Sequence, residues 1–170
     1  LSFEKAAFAE PLSVSIRGGE ESGVKPGDRI AVLGLGPIGL LLAKVATLKG
    51  AHVTGFGRNP LKLALAKSFA DVDEVVNLRN ISSSEEIRHH YTPDNRGFDV
   101  VIEAIGLPEM WQKAVKLTRR GGTVNLFGGC PGDTTVSLST RRMHYDEIRM
   151  ISLFHHTPSY FKKAVDMLSS

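Results

Sequence analysis

The run Ile30-Ala-Val-Leu-Gly-Leu-Gly-Pro-Ile-Gly39 restricts this chain more than any other feature. Four apolar residues lead into three glycines spaced G-x-G-x-x-G, and an apolar segment of helical period follows. Gly34 permits a tight turn, Gly36 leaves the backbone open to close approach, and Gly39 lets the following helix pack on the strand. N–H groups at such a helix start have no intrahelical acceptor and attract negative charge. Chance matches are common where glycine is frequent, as it is here with 17 in 170 residues. The motif therefore carries weight only between a strand and a helix.

That context is met. Runs rich in Val and Ile at 30–33, 52–56, 74–78, 98–104, 123–127 and 150–154 read as strands buried on both faces. Helical segments are predicted between and after them at 38–49, 60–69, 82–91, 108–118 and 159–168, with a lead-in helix over 3–22. Pro60 at a first helical position, Ser82 to Ser84 as caps, and Gly121-Gly122 after a basic helix end mark the boundaries. Alternation of this kind predicts an α/β domain of Rossmann type, a doubly wound, parallel, six-stranded sheet with helices on both faces. Residues 1–170 read as one such domain, with 1–27 leading in. In it the glycine turn binds the pyrophosphate of a nicotinamide dinucleotide.

The second strand decides between cofactors. An acidic residue is expected at its end, to bind the ribose 2′-OH of NAD. Here His52-Val-Thr-Gly-Phe-Gly57-Arg58-Asn59 ends in Gly57 and Arg58. A missing carboxylate leaves room for a 2′-phosphate, and an arginine beside it offers a fork of donors. Lys62, a turn further on, adds charge or covers the adenine. The expected cofactor is NADP, with NAD the alternative if Arg58 is only a solvated loop cation.

Composition narrows the partners. The formal charge of +3 is too small to argue for nucleic acid. The longest uncharged stretch, 30–43, falls short of the ~20 apolar residues of a membrane-spanning helix. The single cysteine, Cys130, excludes an internal disulfide and is read as unreactive. His89, His90, His144, His155 and His156 show no metal-ligand spacing and are read as solvated or packing residues. Arg141-Arg142, after Ser139-Thr140, is read as a solvated helix start.

Further segments resemble the cofactor-binding domain of zinc-dependent medium-chain alcohol dehydrogenases, in the sorbitol and threonine dehydrogenase branch. They are Ala9-Glu10-Pro11-Leu12-Ser13-Val14, Val24 to Val32, Phe98-Asp-Val-Val-Ile-Glu-Ala-Ile-Gly106, and Arg120-Gly-Gly-Thr-Val-Asn-Leu-Phe-Gly-Gly129. The resemblance covers nearly the whole chain. It implies that Pro37 and Ile38 meet the pyrophosphate within the turn Gly34–Gly39, and that Gly57 and Arg58 choose the cofactor. By the same resemblance, Gly106, Phe127, Gly128 and Gly129 lie beside the nicotinamide, and Phe154 and His155 close over it. Polyol dehydrogenases often have Phe-Arg at that last pair, so His155 departs from the pattern. Glu10 is similar to a glutamate that reaches the catalytic zinc directly or through water.

In the family, zinc polarises a substrate hydroxyl and hydride passes to the nicotinamide. The Cys and Gly-His-Glu motifs that hold this zinc, on a catalytic domain of similar size, do not occur in the chain. It starts at Leu1 rather than Met and is expected to be part of a longer cytoplasmic enzyme. That enzyme would act on a small alcohol or carbonyl compound, and this part alone would be inactive and hold no zinc. The resemblance also implies a homo-oligomer formed through the sixth-strand edge. Two rival readings are a zinc-free quinone or enoyl reductase of the same superfamily, and a non-enzymatic NADP-binding sensor.

Overall fold

Six parallel strands form one sheet in the order β3-β2-β1-β4-β5-β6. They are β1 (Arg29–Leu33), β2 (His52–Gly57), β3 (Glu74–Asn77), β4 (Phe98–Glu103), β5 (Thr118–Leu126) and β6 (Arg149–Ile151). The computed structural model describes residues 1–81 and 83–169. Between and after the strands run α3 (Pro37–Leu48), α4 (Pro60–Ser68), α5 (Ser84–Tyr91), α6 (Pro108–Leu117), α7 (Thr140–Tyr145) and α8 (Pro158–Ser169). Strand order reverses between β1 and β4, so a crevice opens above their carboxyl ends.

Period-two alternation explains both layers. Ile30 and Val32 of β1 face Leu42, Ala43 and Ala46 of α3 and Ala66 of α4. Ala31 and Leu33 face the other way, into a core with Ile87 of α5 and Met110 and Ala114 of α6. A third, smaller cluster joins Leu12 and Ile16 to Leu41 and Val45 of α3 and Ala164 of α8, with Tyr160 and Leu168 packed against it. Helix starts follow the expected chemistry. Asn59 Oδ1 accepts the Leu61 N–H at 2.9 Å, and Ser83 Oγ accepts that of Glu86 at 3.0 Å. The predicted start at Ser82 lies outside the described residues.

Four expectations change. The lead-in is two helices, α1 (Phe3–Ala6) and α2 (Ala9–Glu21), not one. Pro11 is the reason, because inside a helix its ring would clash with the carbonyl four residues back, that of Ala7. Gly121 and Gly122 do not end α6 but sit in an irregular early part of β5, where the pairing with β4 shifts register. A Cβ on Gly122 would lie 2.7 Å from Thr118 Cγ2. β6 is three residues long and stops at Ile151, before Phe154; the backbone turns left-handed only further on, at His155 with φ 64°. Arg142 is not a solvated cation. Its guanidinium donates to the Val115 and Lys116 carbonyls at 3.1 Å each and to that of Thr118, closing the end of α6.

Asp99 ties together the amino-terminal end of the sheet. It accepts the Arg29 N–H at 2.8 Å and pairs with Arg119 at 2.5 Å and Arg96 at 3.3 Å. Burial opposes its charge, but the Arg29 N–H and the two guanidiniums outweigh this and hold its carboxyl below the usual carboxylate range. Such a group stabilises the fold above the unfolded carboxylate pKa of about 3.9 and loses that contribution as pH falls through its lower folded value. Asp99→Asn is expected to cost about 1–3 kcal/mol near neutral pH. In urea titrations the difference from wild type should shrink below about pH 4. A pH-independent difference would show that the charge contributes nothing.

Candidate functional site

The turn after β1 is built by exclusion. Gly34 has φ 99°, and a Cβ there would come within 2.6 Å of Ile105 Cγ1. A Cβ on Gly39 would overlap the Gly34 carbonyl oxygen, so α3 packs against its own approach turn only because residue 39 is glycine. Gly36 differs: nothing lies within 4 Å of its Cβ position. It is the extended N-cap of α3, without a side-chain cap, and Pro37 follows at the first helical position. Helical geometry leaves the N–H groups of Ile38 and Gly39 without intrahelical acceptors, next to that open space at Gly36. A chemical role for Gly36 thus separates from the packing roles of Gly34 and Gly39.

Gly34, Gly36, Gly57, Arg58 and Lys62 line one groove of about 330 Å³ across the switch point. Leu35 forms its floor, 3.3 Å from where a Cβ of Gly57 would stand. Ile105, Leu107 and Met110 form the far wall. Arg58 and Lys62 are exposed, and among the described residues neither side chain makes an ion pair. The groove therefore offers helix-start donors at one end, two free cations at the other, and apolar walls between. That arrangement suits an elongated anion with a flat ring. A larger groove of about 610 Å³ between α3, α4 and α8 is lined by apolar side chains apart from Lys44 and lacks such donors.

The turns after β4 and β5 meet beside this groove. Gly106 has φ 80°, and a Cβ there would collide with the Gly129 carbonyl; one on Gly128 would come within 2.5 Å of the Gly106 nitrogen. Glu103, which sequence reasoning passed over, holds the junction. It is fully buried and accepts the Ile105 N–H at 2.7 Å and the Gly106 N–H at 3.0 Å. Burial raises its pKa against these hydrogen bonds. An acid closing the buried run Val100-Val-Ile102, one residue before Ala104 and well inside the strand-turn segment, is the signal. Trp111 Nε1 donates to the Gly128 carbonyl at 2.9 Å, fixing the same turn from α6. Nearby Cys130 has its thiol pushed up by burial and by the charges of Glu103 and Glu109, as befits an unreactive cysteine.

Phe127 faces α2, where its ring comes within 3.1 Å of the Cβ position of Gly18. Phe154 and His155 do not line the groove. Phe154 is 82% exposed, its ring tilted over His155 at 3.9 Å between centroids. A second residue missed from sequence, Arg17 of α2, holds this corner by donating to the Phe154 and His155 carbonyls at 3.1 Å each. Glu10 starts the same helix and faces His156 Nδ1 at 3.7 Å. Among the described residues no three His, Cys, Asp or Glu side chains come together as metal ligands. Glu10 and His156 alone do not make a zinc site, which needs three or four ligands.

The sheet order and its crevice define a Rossmann dinucleotide-binding fold. The chain belongs to the zinc-binding dehydrogenases, whose family model matches residues 37–170. Over its full length it is 32% identical to sorbitol dehydrogenase of Bacillus subtilis and 30% identical to D-arabinitol dehydrogenase 1 of Uromyces fabae. It spans about half of these curated relatives, 47% and 49%. A zinc-binding dehydrogenase of Sinorhizobium meliloti, solved with NADP bound, superposes with a TM-score of 0.91 at 31% identity. That match covers 97% of this chain and 48% of the other. No helix among the described residues is long and apolar enough to cross a membrane.

Two glycine substitutions separate packing from ligand contact. Gly39→Ala is expected to cost about 3 kcal/mol or more, or to prevent folding, because backbone rather than a flexible side chain blocks the added carbon. Gly36→Ala should change stability by less than about 0.5 kcal/mol while weakening cofactor binding. Thermal melts and nicotinamide fluorescence titrations read both. Undiminished cofactor binding by Gly36→Ala would remove the ligand from this turn.

Proposed function

We propose that the chain binds NADP in preference to NAD, as the cofactor-binding part of a zinc-dependent alcohol or polyol dehydrogenase. The observation that carries the preference is the end of β2. There Gly57 stands where a carboxylate would meet a ribose diol, and exposed Arg58 has no acidic partner among the described residues. An arginine held by its own carboxylate would have to break that pair to bind phosphate; this one does not. Lys62 lines the same groove. The bound nicotinamide would carry hydride between a secondary alcohol and its ketone.

The chain's own residues would do the holding. Ile38 and Gly39 N–H groups would take the pyrophosphate, with Pro37 fixing the helix start. Gly106, Phe127, Gly128 and Gly129 would bound the nicotinamide end, in the junction that Glu103 orders. Phe154 and His155, tethered by Arg17, would close over it, and Glu10 would face the metal of the full-length enzyme. The alcohol-binding domain would be supplied by the rest of that enzyme, so this chain would bind cofactor without turning over substrate. The sheet ends at β6 with a free edge and half-exposed Met150, which would pair two copies.

Arg58→Ala should weaken NADPH binding by about 1–3 kcal/mol, the worth of a charged hydrogen bond, and leave NADH binding unchanged. Fluorescence titration of both cofactors on both proteins measures this. Equal affinities in the wild type, or a preference that survives the substitution, would defeat the phosphate argument.

A further inference from the structure

In a parallel sheet the cofactor crevice lies at the carboxyl ends of the strands. The opposite end carries a second groove of about 670 Å³. Arg96 stands just before β4, and Arg119 and Arg120 begin β5. Arg88 comes from the end of α5 and Arg142 from α7. These five guanidiniums share too few carboxylates.

Asp99 is divided between Arg119 at 2.5 Å and Arg96 at 3.3 Å. Asp146 is divided between Arg142 at 2.7 Å and Arg120 at 2.9 Å. Arg88 donates to carbonyls, those of Asn95 at 2.8 Å and Arg96 at 3.3 Å, and makes no ion pair among the described residues. With Asp94 on the rim, three carboxylates face five guanidiniums, and two positive charges remain over. Burial chiefly lowers the pKa of Arg142; Asp146 pulls against this, and Arg88 and Arg120 add smaller repulsions.

A fold needing only a structural ion-pair network would gain nothing from this surplus, since like charges brought together oppose compaction. Arg142 is committed to the end of α6, Arg119 to Asp99 and Arg88 to loop carbonyls, whereas Arg96 and Arg120 are less enclosed. The Arg120 side chain is 81% exposed and that of Arg96 49%, so both can turn towards a ligand. Guanidinium forks match the paired oxygens of a phosphate. We propose that this groove is a second anion site, for a soluble phosphate-bearing compound carrying two negative charges. It is distinct from the cofactor groove and independent of cofactor choice. The volume admits the organic part of a phosphomonoester as well as free phosphate.

Arginine Nε–Hε resonances of the isotope-labelled chain, titrated near neutral pH with inorganic phosphate and with glucose 6-phosphate, test this residue by residue. Saturable shifts at Arg88, Arg96 and Arg120 are expected, whatever happens at Arg58 in the cofactor groove. Equal affinity for both probes would assign free phosphate; tighter binding of the ester would assign an organic phosphate. The double variant Arg88→Gln, Arg120→Gln spares Arg142 and the end of α6. It should bind phosphate at least about tenfold more weakly, with NADPH affinity within about twofold of wild type. Two results would overturn the proposal. One is shifts that rise linearly and equally at exposed Arg141; the other is a folded double variant that binds phosphate like wild type.

Discussion

The contact between Gly39 and the Gly34 carbonyl is the constraint on which the rest of the structure depends. It places the first turn of α3 directly over the end of β1, closer than any side chain would permit. Because the helix start is fixed there, its unsatisfied N–H groups face the crevice where strand order reverses. β2 and β4, hydrogen-bonded on either side of β1, then set what else reaches that crevice. From β2 come Gly57 and Arg58, and from β4 comes the Glu103 junction.

The two sides of the crevice are held by different physics. On the β2 side, small residues make room, and Arg58 and Lys62 make no ion pair among the described residues. On the β4 and β5 side, a buried carboxylate holds two backbone N–H groups, and glycine backbones pass too closely for side chains. Burying Glu103 is costly, and the hydrogen bonds to Ile105 and Gly106 offset much of that cost. The result is a rigid wall beside an open groove, a suitable arrangement for holding a planar ring at one angle.

Much of this was legible in the residues. Strand alternation, the glycine spacing and the Pro60 and Pro108 helix starts depend on local patterns, and the structure follows them. The groove residues Gly34, Gly36, Gly57, Arg58 and Lys62 were legible because a motif and its offset link them along the chain. What escaped depends on contacts distant in sequence. Arg17 meets the Phe154 and His155 carbonyls across more than a hundred residues, and no local pattern marks an arginine on a helix as a tether. Arg142 looked solvated because the α6 carbonyls that it closes are equally remote. The break between α1 and α2 was legible in principle, since Pro11 forbids a continuous helix across Ala7.

The central claim is that a nicotinamide dinucleotide lies across the switch point with its pyrophosphate on the α3 start. Backbone amide chemical-shift mapping of the chain with NADPH tests it most directly. Large, saturable shifts are expected at Ile38 and Gly39, at Gly57 and Arg58, and at Gly106, Gly128 and Gly129. Shifts confined to the apolar groove between α3, α4 and α8, or none at Ile38 and Gly39 at saturation, would contradict the account.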